Sequence, residues 1–291
     1  MRWDGNRESS NVEDARDGGG GGGGGGFGGG RVGIGAVVIA LVGGAIFGVN
    51  PMTILGLMSG GAAPTQQQGP VHAPPASDRG AKFVSIVLAD TEEVWGRVFQ
   101  SAGSTYQPPK LVLFRGAVAT GCGSGQSAMG PFYCPADQKV YIDLGFYDTL
   151  KTRLGAPGEF AQAYVIAHEV GHHVQNQLGL SAKAERARSA AGSGSARFNE
   201  ISVRVELQAD CYAGLWARQS QQGKSWLDPG DIESAMNAAA KIGDDALQSG
   251  AGRSVTPESF THGSSAQRQK WFGVGYQTGS VKACDTFSGS L

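Results

Sequence analysis

The longest apolar stretch of the chain lies near the N terminus. No Asp, Glu, Lys or Arg occurs from residue 32 to residue 77, and residues 32–49 are 18 consecutive Val, Ile, Ala, Leu, Phe and Gly residues. As a helix, such a stretch would span about 27 Å, close to the thickness of a bilayer's hydrocarbon core. The pattern predicts one transmembrane helix over residues 32–58. A buried core helix is the alternative, and the length of the uncharged stretch argues against it.

Beyond this stretch, the spacing of apolar residues predicts a folded domain over residues 82–291. Few strands and several helices indicate the α+β class, mostly helical with a small sheet. The segment 116–131 is so rich in Gly and Ser that we expect an irregular loop there. The predicted strands are 110–114 and 140–144, and the predicted helices are 83–100, 160–178, 181–188, 199–219, 231–246 and 264–276.

The segments on either side of the predicted span have a polar or Gly-rich composition. Residues 1–31 are charged and then Gly-rich, and we expect a disordered tail; residues 59–81 are expected to be a disordered linker. Arg16 and Arg31 precede the span, whereas the first basic residue after it is Arg79. The positive-inside rule therefore predicts a cytoplasmic N terminus and an extracytoplasmic domain.

Two further features of the span allow more than one interpretation. Ala62 and Ala63 would suit cleavage of a signal peptide, but an acidic, Gly-rich leader is an unusual start for one, so an uncleaved anchor is favoured. Gly44 and Gly48 form a GxxxG pair, a pattern that can indicate a helix-mediated homodimer.

Charge and cysteine content narrow the class of protein. The formal net charge is -1, so no overall basic field favours nucleic acid as a partner. The four cysteines all follow the apolar stretch, and an even number in an oxidising compartment suggests two disulfides. Cys122 with Cys134 would close a short loop, which would leave Cys211 with Cys284. Other pairings, or four free thiols, remain open.

The clearest chemical signal is the sequence H-E-x-x-H at His168, Glu169 and His172, within a predicted helix. Residues four apart lie on one face of a helix, so the two imidazoles would face the same point. Two such imidazoles suit a zinc ion, and Glu169 beside them could take a proton from water. The next residue, His173, is rotated about 100° around the helix and is expected to be structural.

A zinc site of this type needs a third protein ligand from another element. Glu206, on the predicted helix 199–219, is the best candidate. Asp210 lies four residues later in an apolar stretch, where it could accept the free N–H of a ligand histidine. An exposed acidic helix face is the alternative. His262 precedes a helix that Ser264 or Ser265 could cap; it could donate to an oxyanion or be purely structural.

These motifs together resemble a bacterial family of neutral zinc metallopeptidases, with the HExxH and ExxxD pattern of gluzincins. The matching pieces span nearly the whole chain: Arg2-Trp3 with the Gly tract, Cys122-Gly123, Cys134-Pro135, the HEVGHHVQ and ELQADC segments, Thr261 to Ser264, Gln267-Arg268 and Cys284 to Phe287. The resemblance implies a zincin-like fold at the bacterial inner membrane. It also implies one Zn²⁺ held by His168, His172 and Glu206, with Glu169 as general base.

The function that follows is hydrolysis of peptide bonds in a peptide or protein substrate. A zincin-like fold further implies that an edge strand above the metal helix aligns the peptide, and either 110–114 or 140–144 could be that strand. Two alternatives remain. The domain could be a non-enzymatic zinc-containing envelope module that binds a protein or cell-wall partner, or a zinc amidase that acts on cell-wall peptides.

Overall fold

A four-stranded sheet lies against a group of helices in the computed structural model of this chain, which describes residues 1–18 and 71–291. The α+β class, mostly helical with small sheets, is confirmed. The predicted span at 32–58 and the Gly44–Gly48 pair lie outside the described residues. Within those that are described, no helix has the length and hydrophobicity needed to cross a membrane.

The strands fall into one main sheet and one hairpin. They are β1 (Val12–Asp14), β2 (Lys110–Phe114), β3 (Ala117–Thr120), β4 (Gly123–Gln126), β5 (Phe132–Cys134) and β6 (Lys139–Asp143). The main sheet has the order β1-β2-β6-β5, in which β1, β2 and β6 are parallel and β5 is antiparallel to β6. The hairpin is formed by β3 and β4.

Alternation of side chains along the strands explains how the sheet is buried on both faces. Leu111 and Leu113 of β2, with Val140 of β6, belong to the main core against the helices. Val112 of β2 and Tyr141 of β6 point the other way into a smaller cluster that the β3–β4 hairpin helps to cover.

The helices supply most of the core. They are α1 (Arg79–Ser101), α2 (Gly145–Thr152), α3 (Glu159–Gln177), α4 (Leu180–Ala191), α5 (Ala196–Lys224), α6 (Asp231–Lys241), α7 (Asp244–Gly250) and α8 (Ser265–Thr278). Side chains of Asp78, Ser195 and Ser264 cap α1, α5 and α8, and Ser264 forms a capping box with Gln267.

Glycine allows α5 and α8 to pack unusually closely. A Cβ atom added at Gly214 of α5 would lie 2.0 Å from the carbonyl oxygen of Phe272, and one added at Gly275 of α8 would lie 1.9 Å from that of Cys211. Any larger residue at either position would push the two helices apart. This close packing matters for function because α5 and α8 each contribute to the candidate site.

The N-terminal segment differs from its prediction as a disordered tail. Residues 1–18 lie on the domain, and Val12 to Asp14 pair in parallel with Leu111 to Leu113. Trp3 is buried, packs edge-on against Phe83 and lies beneath the guanidinium group of Arg79. The prediction was wrong for residues 1–18 because a three-residue strand has no periodicity of its own, and its stability comes from distant partners.

Three further differences concern local structure. The segment predicted as a loop at 116–131 contains the β3–β4 hairpin, and the single helix predicted at 231–246 is interrupted by Gly243. At Gly243, a Cβ atom would lie 2.5 Å from the backbone nitrogen of Ser265, so α8 would block any side chain there. The folded region also starts earlier than residue 82, since His72 bridges to Asp14 and α1 begins at Arg79.

The two disulfides have the pairing in which Cys122 and Cys134 close a short loop and Cys211 and Cys284 form the remaining pair. Cys122 is bonded to Cys134, so the β3–β4 hairpin is tied to the end of β5. Cys211 is bonded to Cys284, so the C-terminal segment is tied to α5. The described residues contain no free cysteine.

Candidate metal centre

Three side chains from two packed helices converge beside a cleft of about 390 Å³. His168 and His172 lie one turn apart on α3, and Glu206 faces them from α5. Nε2 of His168 lies 3.2 Å from Oε2 of Glu206, and Nε2 of His172 lies 3.5 Å from Oε1. The three candidate ligand atoms all lie within 4.8 Å of one another.

The donor set and its spacing fit a zinc ion. Zinc–nitrogen bonds of about 2.0–2.1 Å in a tetrahedron place neighbouring ligand atoms about 3.3 Å apart. The nitrogen–oxygen distances, 3.2 Å to one carboxylate oxygen and 3.5 Å to the other, are each close to that spacing. Two imidazoles and one carboxylate also form a known ligand set for catalytic zinc, one that keeps a fourth position for water.

The electrostatics of the three groups reflect their mutual contact. Burial opposes charge on His168, but the carboxylates of Asp210 and Glu206 together outweigh it and raise the pKa of His168 to about 10. Burial likewise opposes ionisation of Glu206, yet the nearby imidazoles hold the pKa of that carboxyl well below its usual range. The metal-free cluster therefore binds a proton at neutral pH, and a bound cation would have to displace it.

A buried ion pair supports His168 from behind. Nδ1 of His168 lies 2.9 Å from Oδ1 of Asp210, which is the contact expected of a carboxylate that orients a ligand histidine. Arg268 of α8 donates to both oxygens of Asp210, at 2.8 and 3.0 Å, and Tyr164 donates at 2.5 Å. Because Asp210 is fully buried, its charge depends on these partners.

Glu169 lies on the same cleft as the metal-ligand candidates and is 8% exposed. Burial raises the pKa of its carboxyl group, while the neighbouring imidazoles partly offset that effect. A carboxylate with a raised pKa is a better proton acceptor than an exposed one, which suits general base catalysis.

His262 also lines the cleft and is held in place by Asp244. Oδ1 of Asp244 lies 3.1 Å from Nδ1 of His262, and its Oδ2 accepts backbone N–H groups of Thr261, His262 and Gly263. Burial opposes charge on His262, but Asp244 raises its pKa above the ordinary value. With Nδ1 bonded to Asp244, Nε2 is the ring nitrogen available to a ligand in the cleft.

The edge strand of the main sheet is neither of the two strands considered from the sequence. β2 and β6 are both interior strands, and the edge next to β6 is β5. Phe132 and Tyr133 of β5 line the cleft, so this strand lies beside the candidate site. His173 points away from the metal-ligand candidates, towards the hydroxyl of Tyr133 and the backbone carbonyl of Gln107.

Sequence reasoning missed several residues that support the site. Tyr164 and Asp244 carried no signal of their own, since each acts through a partner distant in the chain, and Arg268 was noted only as part of the family resemblance. One signal was available for Arg268, which stands on the apolar face of the predicted helix 264–276, where an arginine requires a buried acidic partner.

The geometry of the site places this chain among HExxH proteins in which the third candidate metal ligand is a glutamate. The family model described as "Putative neutral zinc metallopeptidase" matches residues 1–287, and the chain belongs to that family. The uncharacterized protein YpfJ of Escherichia coli K12 is 51% identical over 295 residues, covering all of both chains. The uncharacterized protein Rv2575 of Mycobacterium tuberculosis is 47% identical over 218 residues, 71% of this chain and 72% of the relative. No solved structure matches the chain.

Proposed function

We propose that this protein is a zinc-dependent metallopeptidase that hydrolyses peptide bonds. The single observation that carries the proposal is the convergence of His168, His172 and Glu206 beside the buried carboxyl group of Glu169, on one cleft. A structural metal site has no use for an unligated carboxylate at that position, whereas hydrolysis requires a base there.

Each of the four residues would have a distinct role in hydrolysis, set by its side-chain chemistry and its position in the cleft. His168, His172 and Glu206 would hold one zinc ion, which as a Lewis acid acidifies water and polarises the scissile carbonyl. Glu169 would accept a proton from the attacking water while the oxygen of that water bonds to the carbonyl carbon. Glu169 would then pass that proton to the departing amine nitrogen as the carbon–nitrogen bond breaks.

Two further elements would bind the peptide. His262, oriented by Asp244, would donate from Nε2 to the oxygen that becomes negatively charged. The edge strand β5 would pair with an extended segment of substrate, since its outer side has no neighbouring strand in the described sheet. The two disulfides support placing the domain in an oxidising compartment, outside the cytoplasm.

The test is Glu169→Gln in the full chain. Glutamine keeps the shape of the side chain but cannot accept the proton, so we expect cleavage of casein or a peptide library to fall by about 10²- to 10⁴-fold. One zinc per chain should remain bound. Glu159→Gln, at the partly exposed start of the same helix and outside the cleft, is the matched control and should cleave normally.

Each result separates the alternatives. Undiminished cleavage by Glu169→Gln would show that Glu169 is not the base. One bound zinc without cleavage of any peptide by the wild type would indicate the non-enzymatic envelope module. Cleavage restricted to cell-wall peptides would indicate the amidase.

A further inference from the structure

The two candidate histidine ligands are supported in different ways. Nδ1 of His168 contacts a carboxylate, that of Asp210. Nδ1 of His172 instead lies 2.9 Å from the amide oxygen of Gln175, a neutral group that is 1% exposed. A neutral partner can orient the ring only if its own amide group is held in one orientation, so the partners of Gln175 decide what it does.

Backbone carbonyls determine the orientation of that amide. Nε2 of Gln175 donates to the carbonyl oxygen of Val205 at 2.7 Å and to Oε1 of Gln208 at 3.1 Å. A carbonyl oxygen can only accept, so the nitrogen of Gln175 must face Val205 and its oxygen must face His172. Nδ1 of His172 therefore carries the hydrogen, and the lone pair of Nε2 is directed to the side of Glu206.

The C-terminal segment orients the side-chain amide of Gln208 in the same way. Nε2 of Gln208 donates to the carbonyl oxygen of Cys284 at 2.9 Å, so its own oxygen faces Gln175. Gln208 is 5% exposed, and Cys284 is fully buried and bonded to Cys211 of α5. Thr286 fixes the same segment by donating to the backbone oxygen of Arg204 at 2.6 Å.

We propose that Gln175 and Gln208 are positioning residues that form a hydrogen-bonded relay from the carbonyl of Cys284 to His172. The relay fixes the tautomer and orientation of a metal ligand without adding negative charge. The disulfide between Cys211 and Cys284 holds the far end, so its reduction weakens metal binding. This inference rests on the proposed zinc site.

The first test measures zinc affinity of the purified full chain by competition with a chelator. Gln175→Leu keeps the volume but removes the hydrogen bond to His172, and we expect zinc to bind about 10- to 100-fold more weakly. Gln208→Leu should weaken binding in the same direction by less, because Val205 still holds Gln175. Gln177→Leu is the matched control, since Gln177 lies on the same helix and contacts His173, which is not a candidate ligand.

A spectroscopic measurement separates positioning from general destabilisation. In the zinc-loaded wild type, the hydrogen-bonded Nδ1 proton of His172 should give a slowly exchanging proton resonance. Gln175→Leu should lose that resonance while the Nδ1 proton of His168, bonded to Asp210, is retained. Loss of both resonances together, with lowered stability of the metal-free protein, would mean a structural role and would overturn the proposal.

The second test compares the two disulfides. The Cys211→Ala and Cys284→Ala double variant should bind zinc more weakly, whereas the Cys122→Ala and Cys134→Ala double variant should bind it as the wild type does. If the first double variant does not fold, Gln208→Leu tests the same end of the relay, because it removes the hydrogen bond to the carbonyl of Cys284 and leaves the disulfide intact. A wild type that binds no zinc refutes the proposed function; a wild type that binds zinc no better than Gln175→Leu refutes the relay alone.

Discussion

Replacement of Trp3 tests whether the N-terminal segment, residues 1–18, is docked on the domain or disordered. Trp3 is 2% exposed, its ring centroid lies 5.3 Å from that of Phe83, and the guanidinium carbon of Arg79 lies 4.6 Å from the Trp3 ring centroid. Trp3→Ala would remove all of these contacts. In a disordered tail the same substitution would change nothing, because no packing would be lost.

The expected cost follows from the buried area. A buried tryptophan removes about 200 Å² from water, which at about 25 cal/mol per Å² corresponds to about 5 kcal/mol. Alanine retains part of that burial, and measured Trp→Ala changes in cores cost about 3–5 kcal/mol. For a domain of this size, we therefore expect the Tm to fall by about 6–20 °C.

The assays are urea-induced unfolding, which gives the free energy of unfolding, and thermal unfolding, which gives the Tm; both use the full chain with both disulfides intact and are followed by circular dichroism. Glu8→Ala is the control, because Glu8 is an exposed residue of the same segment and its replacement should change stability by less than about 0.5 kcal/mol. A Trp3→Ala variant as stable as the control would refute the docked arrangement and restore the disordered tail.

Three further predictions concern the site and its support. Arg268→Leu should lower the free energy of unfolding by about 3–5 kcal/mol in urea titrations, because it removes the guanidinium group that pairs with both oxygens of the buried Asp210; a loss below 1 kcal/mol would contradict the pairing. Gly214→Ala should lower both the Tm and the zinc affinity, because the added methyl group would meet the carbonyl oxygen of Phe272 at 2.0 Å; unchanged values would refute the close helix contact. The raised pKa of His168, about 10, means that the metal-free site is protonated below that pH. Zinc must displace this proton, so chelator competition should show affinity falling about tenfold per unit as the pH is lowered from 8 to 6, and a flat profile would contradict the assignment.

Local periodicity was sufficient to predict the long helices and the two interior strands. The helices α3 and α5 each have apolar residues at helical spacing over several turns, so their positions follow from the sequence alone. The strands β1 and β5 have three residues each, and a stretch that short carries no pattern. Both depend on pairing with residues distant in the chain, which a single sequence does not reveal.

The residues of the candidate site also fall into two groups, those that local sequence predicts and those that depend on distant packing. His168, Glu169 and His172 are related by one helical turn, so their proximity is a local property. Glu206 and Asp210 needed a second helix to pack against the first, which only the motif spacing and the family resemblance suggested. The ion pair between Arg268 and Asp210, which supports the site, joins residues 58 positions apart in the sequence. Such a contact is seen only in the three-dimensional structure.

The docked N-terminal strand requires the N terminus and the domain to lie in the same cellular compartment. A strand hydrogen-bonds to its neighbour only if both occupy the same compartment. Val12 to Asp14 pair with β2, and Arg16 forms an ion pair with Asp78. A cytoplasmic N terminus combined with an exported domain, the arrangement expected from the basic residues, is incompatible with these contacts. We therefore expect residues 1–18 to lie in the same compartment as the disulfide-bonded domain.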